Sequence, residues 1–373
     1  MKKTVLIFFV LFAVFAVNSI FAGGNRQSRT TQTQAAPQTY ELAFITDIGT
    51  IDDRSFNQGS WEGVVRFATE YNKTYKHYQS AQQSNDAYLS VIDAAVKGGA
   101  RVIIAAGFLF EVPIFKAQDI YPSVRFVLID SIPNNGEMSG GRPVYRTGNN
   151  TVGVLYAEDQ AGFLAGYAAV ADGYRRLGFL GGIANSSVIR FGYGFIQGAE
   201  YAAQELGLLP GSVTVNYHYT GQFTATPQIQ SLAASWYNSG VEVIFACSGA
   251  AGSSVIAAAE QTGGKVIGVD IDQSGESVTV ITSAMKMLQS SVYESIAAYY
   301  SGMFPGGQTL IFHAANNGVG LPMNTSRFRT FSNAGYNSIF QRLSNGTIPR
   351  IEAIGANGSP SAVSVSIVRI TEM

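Results

Sequence analysis

Residues 46–63 read TDIGTIDDRSFNQGSWEG and connect a predicted strand to a predicted helix. The strand is the apolar run at 40–45, and the helix is predicted over 56–71 because apolar residues recur on one side of it. Asp53 or Ser55 could cap this helix through its free backbone N–H groups. In an open α/β sheet such a loop lies at the carboxyl end of a strand, where these folds bind their ligands.

The rest of the chain repeats this alternation of short β-branched runs and amphipathic stretches. Strands are predicted at 74–79, 101–106 and 124–129, with helices between them, and the pattern restarts near 144–150. Alternation of this kind predicts parallel sheets, so we expect an α/β fold of two similar lobes. The cleft between two such lobes is a preferred ligand site. Elements predicted beyond the second array are a strand at 278–282, a helix at 284–300, a strand at 308–315, a helix at 338–343 and an edge strand at 362–370.

We expect the chain to cross between the lobes more than once, so each lobe combines two segments. The predicted parts are a signal peptide (1–22), a flexible linker (23–39), lobe 1 (40–150 plus about 276–310) and lobe 2 (151–275 plus about 311–373).

The amino-terminal segment is typical of an export signal. Lys2 and Lys3 precede an apolar stretch at 4–17, and a small residue at Ala22 suits cleavage after it. An uncleaved anchor is the alternative interpretation. We expect a protein of the periplasm or cell envelope. The one cysteine, Cys247, rules out an internal disulfide and leaves no lipobox cysteine for lipid attachment.

Composition excludes several classes of function. The formal charge of −1 gives no basic surface for nucleic acid, and we expect no such partner. His77, His218 and His313 share no zinc spacing, so no metal is expected. The sequence contains neither a P-loop ending nor a nucleophile motif, so we predict no cofactor and no catalytic residue.

Three carboxylates lie in the opening loop. Asp47, Asp52 and Asp53 invite comparison with a calcium-dependent nucleoside hydrolase, but the spacing D-x-x-x-x-D-D does not match that enzyme's D-x-D-x-x-x-D-D. The other interpretation is a hydrogen-bonding loop, because carboxylates suit vicinal hydroxyls or a ring N–H. A purely structural interpretation makes Asp53 a helix cap and Asp52 a solvated side chain.

Further polar candidates follow other predicted strands. Asp130 and Asp270 each end a strand and should therefore face the cleft. Lys286 is predicted at the start of the helix at 284–300, where it either contacts a ligand or is merely solvated. Gly249 belongs to a small-residue loop, which favours close backbone approach to an uncharged ligand over phosphate binding.

Aromatic residues near predicted loops could sandwich a flat base. A stacked base gains about 1–3 kcal/mol from such a ring. Packing in the core is the alternative role for each of them. The candidates are Phe56, Phe108, Phe191 and Tyr193.

The motifs together resemble the basic membrane protein (Bmp) family of substrate-binding proteins, close to the spirochaetal purine nucleoside receptors. The resemblance extends over nearly all of residues 40–325. The matching blocks are 45–63, IRFGYGF at 189–195, 244–252, GVDIDQS at 268–274, 282–286 and 318–321.

The resemblance implies a type I periplasmic binding protein fold, with two Rossmann-like lobes, a hinge and an interlobe cleft. It implies a monomer that delivers guanosine, inosine or adenosine to the permease of an ABC importer. Phe56 and Phe191 would stack on the base, and Asn57 and Asp130 would bond it. The remaining implied contacts are Asp47, Gly249, Asp270 and Lys286, the last two near the ribose.

Two features depart from the family pattern. Family members are typically lipoproteins, and this chain has no lipobox cysteine. The loop at 246–252 is less glycine-rich than the family version.

Rival hypotheses are a binding protein of the same fold for a sugar or a signalling ligand, and a structural surface protein without a ligand.

Overall fold

The computed structural model describes residues 39–139, 142–349 and 358–373. The predicted signal peptide and all but the last residue of the predicted linker lie outside the described residues.

The first half of the chain forms strands and helices in regular alternation. In chain order the elements are β1 (Leu42–Thr46), α1 (Phe56–Glu70), β2 (Tyr75–Gln79), α2 (Asn85–Lys97), β3 (Val102–Ala106), α3 (Glu111–Ile120), β4 (Arg125–Ile129), β5 (Asn134–Ser139), β6 (Arg142–Tyr145) and β7 (Thr151–Tyr156).

The second half continues in the same way. Its elements are α4 (Glu158–Ala171), β8 (Arg176–Gly181), α5 (Ser186–Glu205), β9 (Val213–Tyr219), α6 (Pro227–Asn238), β10 (Val243–Cys247), α7 (Gly252–Thr262), β11 (Lys265–Asp270), β12 (Val280–Lys286), α8 (Leu288–Tyr300), β13 (Thr309–Phe312), β14 (Val319–Gly320), α9 (Asn333–Ser344) and β15 (Val368–Glu372).

Two parallel sheets organise these elements into two lobes. Lobe 1 is built on a six-stranded parallel sheet in the order β13-β7-β4-β3-β1-β2, and lobe 2 on a seven-stranded sheet in the order β14-β12-β11-β10-β8-β9-β15. Only β14, of the described strands in the second sheet, runs antiparallel to its neighbour. The central strands β1, β3 and β10 are buried along their whole length, as expected where helices cover both faces.

The chain crosses between the lobes at three places that lie side by side. The crossings follow β7, β12 and β13, and backbone hydrogen bonds join them: Ala157 N–H to Phe312 O at 2.8 Å, and Met287 N–H to Gly318 O at 3.0 Å. The Gln160 side chain adds a bond from the Ala314 N–H at 2.8 Å. These crossings form the hinge region of the two-lobed fold.

Two strands depart from the predicted lobe limits. β7 belongs to the sheet of lobe 1, whereas the sequence predicts residues 151–275 in lobe 2. β12 belongs to the sheet of lobe 2, whereas the sequence predicts about 276–310 in lobe 1. The prediction of Lys286 at the start of a helix is also wrong, because β12 runs through Lys286 and α8 begins at Leu288. Pairing with β11 keeps residues 282–285 extended, and Lys286 pairs with Val319 of β14.

Helices α4 and α5 pack closer than ordinary side chains would allow. A Cβ on Gly162 would collide with the backbone oxygen of Phe191, and one on Gly194 would collide with that of Asp159. Gly166 and Gly198 repeat the contact one turn further along. Because these glycines leave no room between the helices, the first turn of α4 is fixed against the part of α5 that carries Arg190 and Phe191.

Candidate functional site

The opening loop of residues 46–55 places its carboxylates in three different environments. Asp53 accepts hydrogen bonds from the backbone N–H groups of Ser55, Asn57 and Gln58 at 2.9–3.0 Å, so it caps α1 as predicted. Burial raises the pKa of Asp53 to about 6 in spite of these donors. Asp52 is exposed to solvent.

Asp47 and Asn57 lie together beside the first turn of α1. Asp47 Oδ1 accepts the Gly49 N–H at 2.7 Å, and a Cβ on Gly49 would lie 2.9 Å from that oxygen and 2.7 Å from Asn57 Nδ2. Burial raises the pKa of Asp47, and the Gly49 N–H opposes that shift. The two side chains therefore form one polar edge next to Phe56.

Lys286 is the centre of the strongest interactions at the facing strand ends. Its ammonium nitrogen lies 2.9 Å from Asp130 Oδ2 and 3.1 Å from Asp270 Oδ1, and the side chain is only 2 % exposed. Asp130 follows β4 of lobe 1, whereas Asp270 and Lys286 end strands of lobe 2. This ion-pair group therefore joins the two lobes.

The two aspartates share an unusual backbone conformation. Asp130 has φ 67° and Asp270 has φ 70°, in the left-handed region that residues other than glycine, asparagine and aspartate rarely adopt. This conformation sharply turns the chain at the strand end. Ser55 also reaches across from lobe 1, donating from Oγ to Asp270 Oδ2 at 2.6 Å.

Aromatic rings surround the same ammonium group. The Lys286 nitrogen lies 4.7 Å from the centroid of Phe56, 5.4 Å from that of Tyr156 and 5.5 Å from that of Phe191. Phe56 begins α1 in lobe 1, and Phe191 lies on α5 in lobe 2. Rings from the two lobes thus border one point between the sheets.

Electrostatics stabilise the charged forms of this group. Burial alone would lower the pKa of Lys286, but Asp130, Asp270 and Glu158 outweigh it and raise that pKa. Burial likewise opposes ionisation of Asp130, and the Lys286 charge is the main reason its pKa is nevertheless lowered. Both groups are therefore charged at neutral pH.

Five of the eight predicted site residues converge in the structure, and three lie apart from the ammonium group. The convergent residues are Phe56, Asp130, Phe191, Asp270 and Lys286. Asp47 and Asn57 form the polar edge described above, and Gly249 follows β10 with φ 57°, where an added Cβ would meet the Phe223 side chain. Of the other aromatic candidates, Tyr193 instead donates to the Ser359 carbonyl at 2.7 Å.

Sequence reasoning missed a second group of site residues, because β7 was not recognised as a strand of lobe 1. Tyr156 ends β7, and Glu158 follows it by two residues. Glu158 accepts hydrogen bonds from Arg190 Nε at 2.6 Å and from Ser187 Oγ at 3.0 Å. The same signal that identified Asp130, a polar residue after a buried β-branched run, was present at Glu158.

Comparison with known structures agrees with the class of protein that this fold and cleft define. The chain is similar to a solved ABC transporter solute-binding protein of Aeropyrum pernix K1, with a TM-score of 0.72 and 22 % sequence identity over 87 % of this chain and 96 % of that one. The fold is that of a type I periplasmic binding protein, with two lobes around a ligand cleft.

The chain belongs to the Bmp family, described as ABC transporter substrate-binding protein PnrA-like, whose sequence model matches residues 40–353. The predicted family resemblance is thereby confirmed. One relative, the ABC transporter nucleoside-binding protein BmpA of Lactococcus lactis subsp. cremoris, is 26 % identical over 87 % of this chain and 93 % of its own length. Basic membrane protein D of Borreliella burgdorferi is 29 % identical over 82 % of this chain and 86 % of its own length.

Membership in this family makes the chain an ABC transporter substrate-binding protein, and the family is one of binding proteins rather than enzymes. Substrate-binding proteins of ABC importers are exported. The predicted signal peptide lies outside the described residues and stays a prediction. None of the helices in the described ranges is long and apolar enough to cross a membrane.

Proposed function

We propose that the protein captures a purine nucleoside between its lobes and delivers it to the permease of an ABC importer. The observation that carries this proposal is the pair of rings from opposite lobes, Phe56 and Phe191, each within 5.5 Å of the Lys286 nitrogen. Two rings and two strand-end carboxylates suit a ligand with a flat base and a hydroxyl-bearing sugar. The name of the Lactococcus relative, a nucleoside-binding protein, supports the same ligand class.

Buried hydroxyl groups next to the predicted contacts favour a polar ligand. Ser248 Oγ and Tyr88 Oη are buried and have no hydrogen-bond partner among the described residues. Ser248 precedes Gly249, and Tyr88 lies close enough to Asp47 for that charge to raise its pKa, after burial as the main cause. Buried hydroxyls are ordinarily hydrogen-bonded, so a ligand is a reasonable partner for both.

In this proposal each site residue takes the role that the family resemblance implies. The base stacks between Phe56 and Phe191, with Asn57 and Asp130 bonding its edge. Asp270 and Lys286 face the ribose, and Asp47 and Gly249 complete the contacts. Because such a ligand contacts both lobes, it favours the closed state over the open one.

Calorimetry tests the ligand class. The mature protein is unfolded and refolded to remove any carried ligand, then titrated with guanosine, inosine, adenosine and ribose. We expect one-to-one binding of a purine nucleoside without calcium, and no free base by chromatography afterwards. Failure of every nucleoside to bind would overturn the proposal, and release of free base would indicate a hydrolase instead.

Loss of one ring tests the stacking directly. Phe56→Ala should weaken nucleoside binding about 5- to 150-fold, which corresponds to about 1–3 kcal/mol for one stacked base. Asp47→Ala should also weaken it. The control is Tyr145→Ala, since Tyr145 is 56 % exposed on the β5–β6 ribbon. Equal affinity in the Phe56 and control variants would contradict a base at this position.

A further inference from the structure

Glu158 lies behind the ion pair of Lys286 and Asp130, without any exposure to solvent. It is the first residue of α4, directly after the first hinge crossing at Ala157. One carboxyl oxygen accepts from Ser187 Oγ and the other from Arg190 Nε. The Glu158 and Asp130 carboxyl groups lie close enough for each to shift the pKa of the other.

The charges in this cluster do not balance. Three carboxyl groups, those of Asp130, Glu158 and Asp270, share two cations, Lys286 and Arg190. Neighbouring carboxylates disfavour each other's ionisation. Asp159, the next residue of α4, also acts on Arg190. Tyr156 on β7 and Cys247 on β10 are further titratable groups near Glu158, and burial raises the pKa of each. They therefore add no charge at neutral pH.

Asp130 lacks a donor at one of its oxygens. Its Oδ2 accepts a hydrogen bond from the Lys286 ammonium. Its Oδ1 is buried and has no hydrogen-bond partner among the described residues. A buried carboxylate oxygen without a donor is costly. A proton on Glu158 would supply a donor to the Asp130 carboxylate and would also neutralise the excess negative charge of the cluster.

We propose that Glu158 carries a proton at neutral pH and donates it in a hydrogen bond to Asp130, so that Glu158 acts as a positioning residue for the carboxylate that meets the ligand. Only the effect on ligand affinity rests on the proposed function; the protonation state of Glu158 does not. Burial is the main cause that raises the pKa of Glu158 to about 7; Asp130 raises it further, and Arg190 opposes the shift.

The sign of the pH effect follows from this assignment. The folded protein holds the Glu158 proton at pH values where the unfolded chain has lost it, so stability falls as pH rises from about 4.3 to 7. Above that range Glu158 ionises beside Asp130, and the carboxylate loses its donor. Ligand affinity should then fall by up to about tenfold per pH unit.

Unfolding of the ligand-free protein is the first arm of the test. Urea unfolding is followed from pH 5 to 8 for the wild type and for Glu158→Gln, whose amide donates to Asp130 at every pH. We expect the folding equilibrium constant of the wild type to fall between pH 5 and 7 relative to that of Glu158→Gln. The control, Glu294→Gln on an exposed position of α8, should follow the wild type. Parallel wild-type and Glu158→Gln curves would overturn the inference.

Guanosine is the probe of the second arm. Its affinity for the wild type should fall about tenfold between pH 6 and 8, and remain constant in Glu158→Gln. If guanosine fails to bind at every pH, the proposed function fails, while the first arm still decides the state of Glu158.

If Glu158→Gln does not fold, calorimetry of the wild type at pH 8 in two buffers of different ionisation enthalpy measures proton uptake on binding. Absence of uptake would overturn the inference.

Discussion

Two buried glutamates on consecutive helices differ in almost everything except their burial. Glu158 on α4 meets another carboxylate, and its pKa rises to about 7. Glu200 on α5 meets only donors. Burial raises the pKa of Glu200, but hydrogen bonds from the backbone and side chain at 366–368 outweigh it and hold that pKa at about 2. Burial therefore does not decide whether a carboxyl group is charged; the neighbouring groups do.

The contrast also separates function from folding. Glu200 receives the N–H groups of Ser366, Ile367 and Val368 at 2.8–3.0 Å, so it fixes the segment that leads into edge strand β15. Glu158 fixes no strand; it lies between the hinge and the ion pair that joins the lobes. Glu200 holds the carboxyl-terminal chain in place, whereas Glu158 supports the ion-pair group between the lobes.

Removal of Lys286 should give the largest effect, because it leaves Arg190 as the single cation beside the carboxyl groups of Asp130, Glu158 and Asp270. We expect Lys286→Met to destabilise the fold by about 3–5 kcal/mol at pH 7. The deficit should shrink as pH falls toward 4, where the carboxyl groups take up protons. Urea unfolding at both pH values measures it, with Lys116→Met at an exposed position of α3 as the control. A loss no greater than that of the control would refute the electrostatic description.

Replacement of Glu200 should give the next largest effect. Glu200→Gln removes the charge from several charge-assisted hydrogen bonds, at a cost of about 1.5–3 kcal/mol at pH 7. The folded pKa lies below the unfolded one, so this stability is present above about pH 4.3 and is lost as pH falls toward 2. Urea unfolding at pH 7 and pH 3 should show the difference between variant and wild type narrowing. Nucleoside affinity should remain unchanged in Glu200→Gln. A tenfold loss of affinity would contradict the separation of Glu200 from the proposed ligand site.

Ser187 should give the smallest effect of the three. Its hydroxyl donates to Glu158 and receives the Lys286 ammonium at 3.4 Å, so Ser187→Ala removes one support from the Glu158 carboxyl group. We expect a loss of about 1 kcal/mol, typical of one hydrogen bond. Thermal unfolding near pH 6 measures it, and Ser253→Ala serves as the control because that serine is exposed and bonds only its own helix turn. A loss of stability greater than that of Glu200→Gln would contradict the expected order of the three effects.

The sequence predicted most of the architecture, because local signals carry it. Helix α1 begins at Phe56 and Asp270 ends β11 as predicted, and Asp130 directly follows β4. Alternating runs of β-branched and amphipathic residues sufficed for the two lobes. Family resemblance added the ligand class, which remains a proposal.

The misplaced elements depend on pairing between distant residues. β7 pairs with β4 and with β13, and β13 lies more than 150 positions later in the chain. No local sequence pattern shows which sheet β7 joins. Residues 282–286 suit a helix start as well as a strand, and pairing with β11 and β14 makes them a strand. Glu158 was overlooked for the same reason, since its role appears only once β7 is placed in lobe 1.

The three crossings have a consequence for the order in which the protein can fold during synthesis. The sheet of lobe 1 begins with β1 at Leu42 and is completed only by β13, which ends at Phe312. Helix α8, which also follows most of lobe 2, packs against α1 at the start of the chain. The ribosome must therefore produce nearly the entire polypeptide before the first lobe has all its parts. Neither lobe can mature as an independent nascent domain, and a chain truncated before β13 would lack an intact version of both.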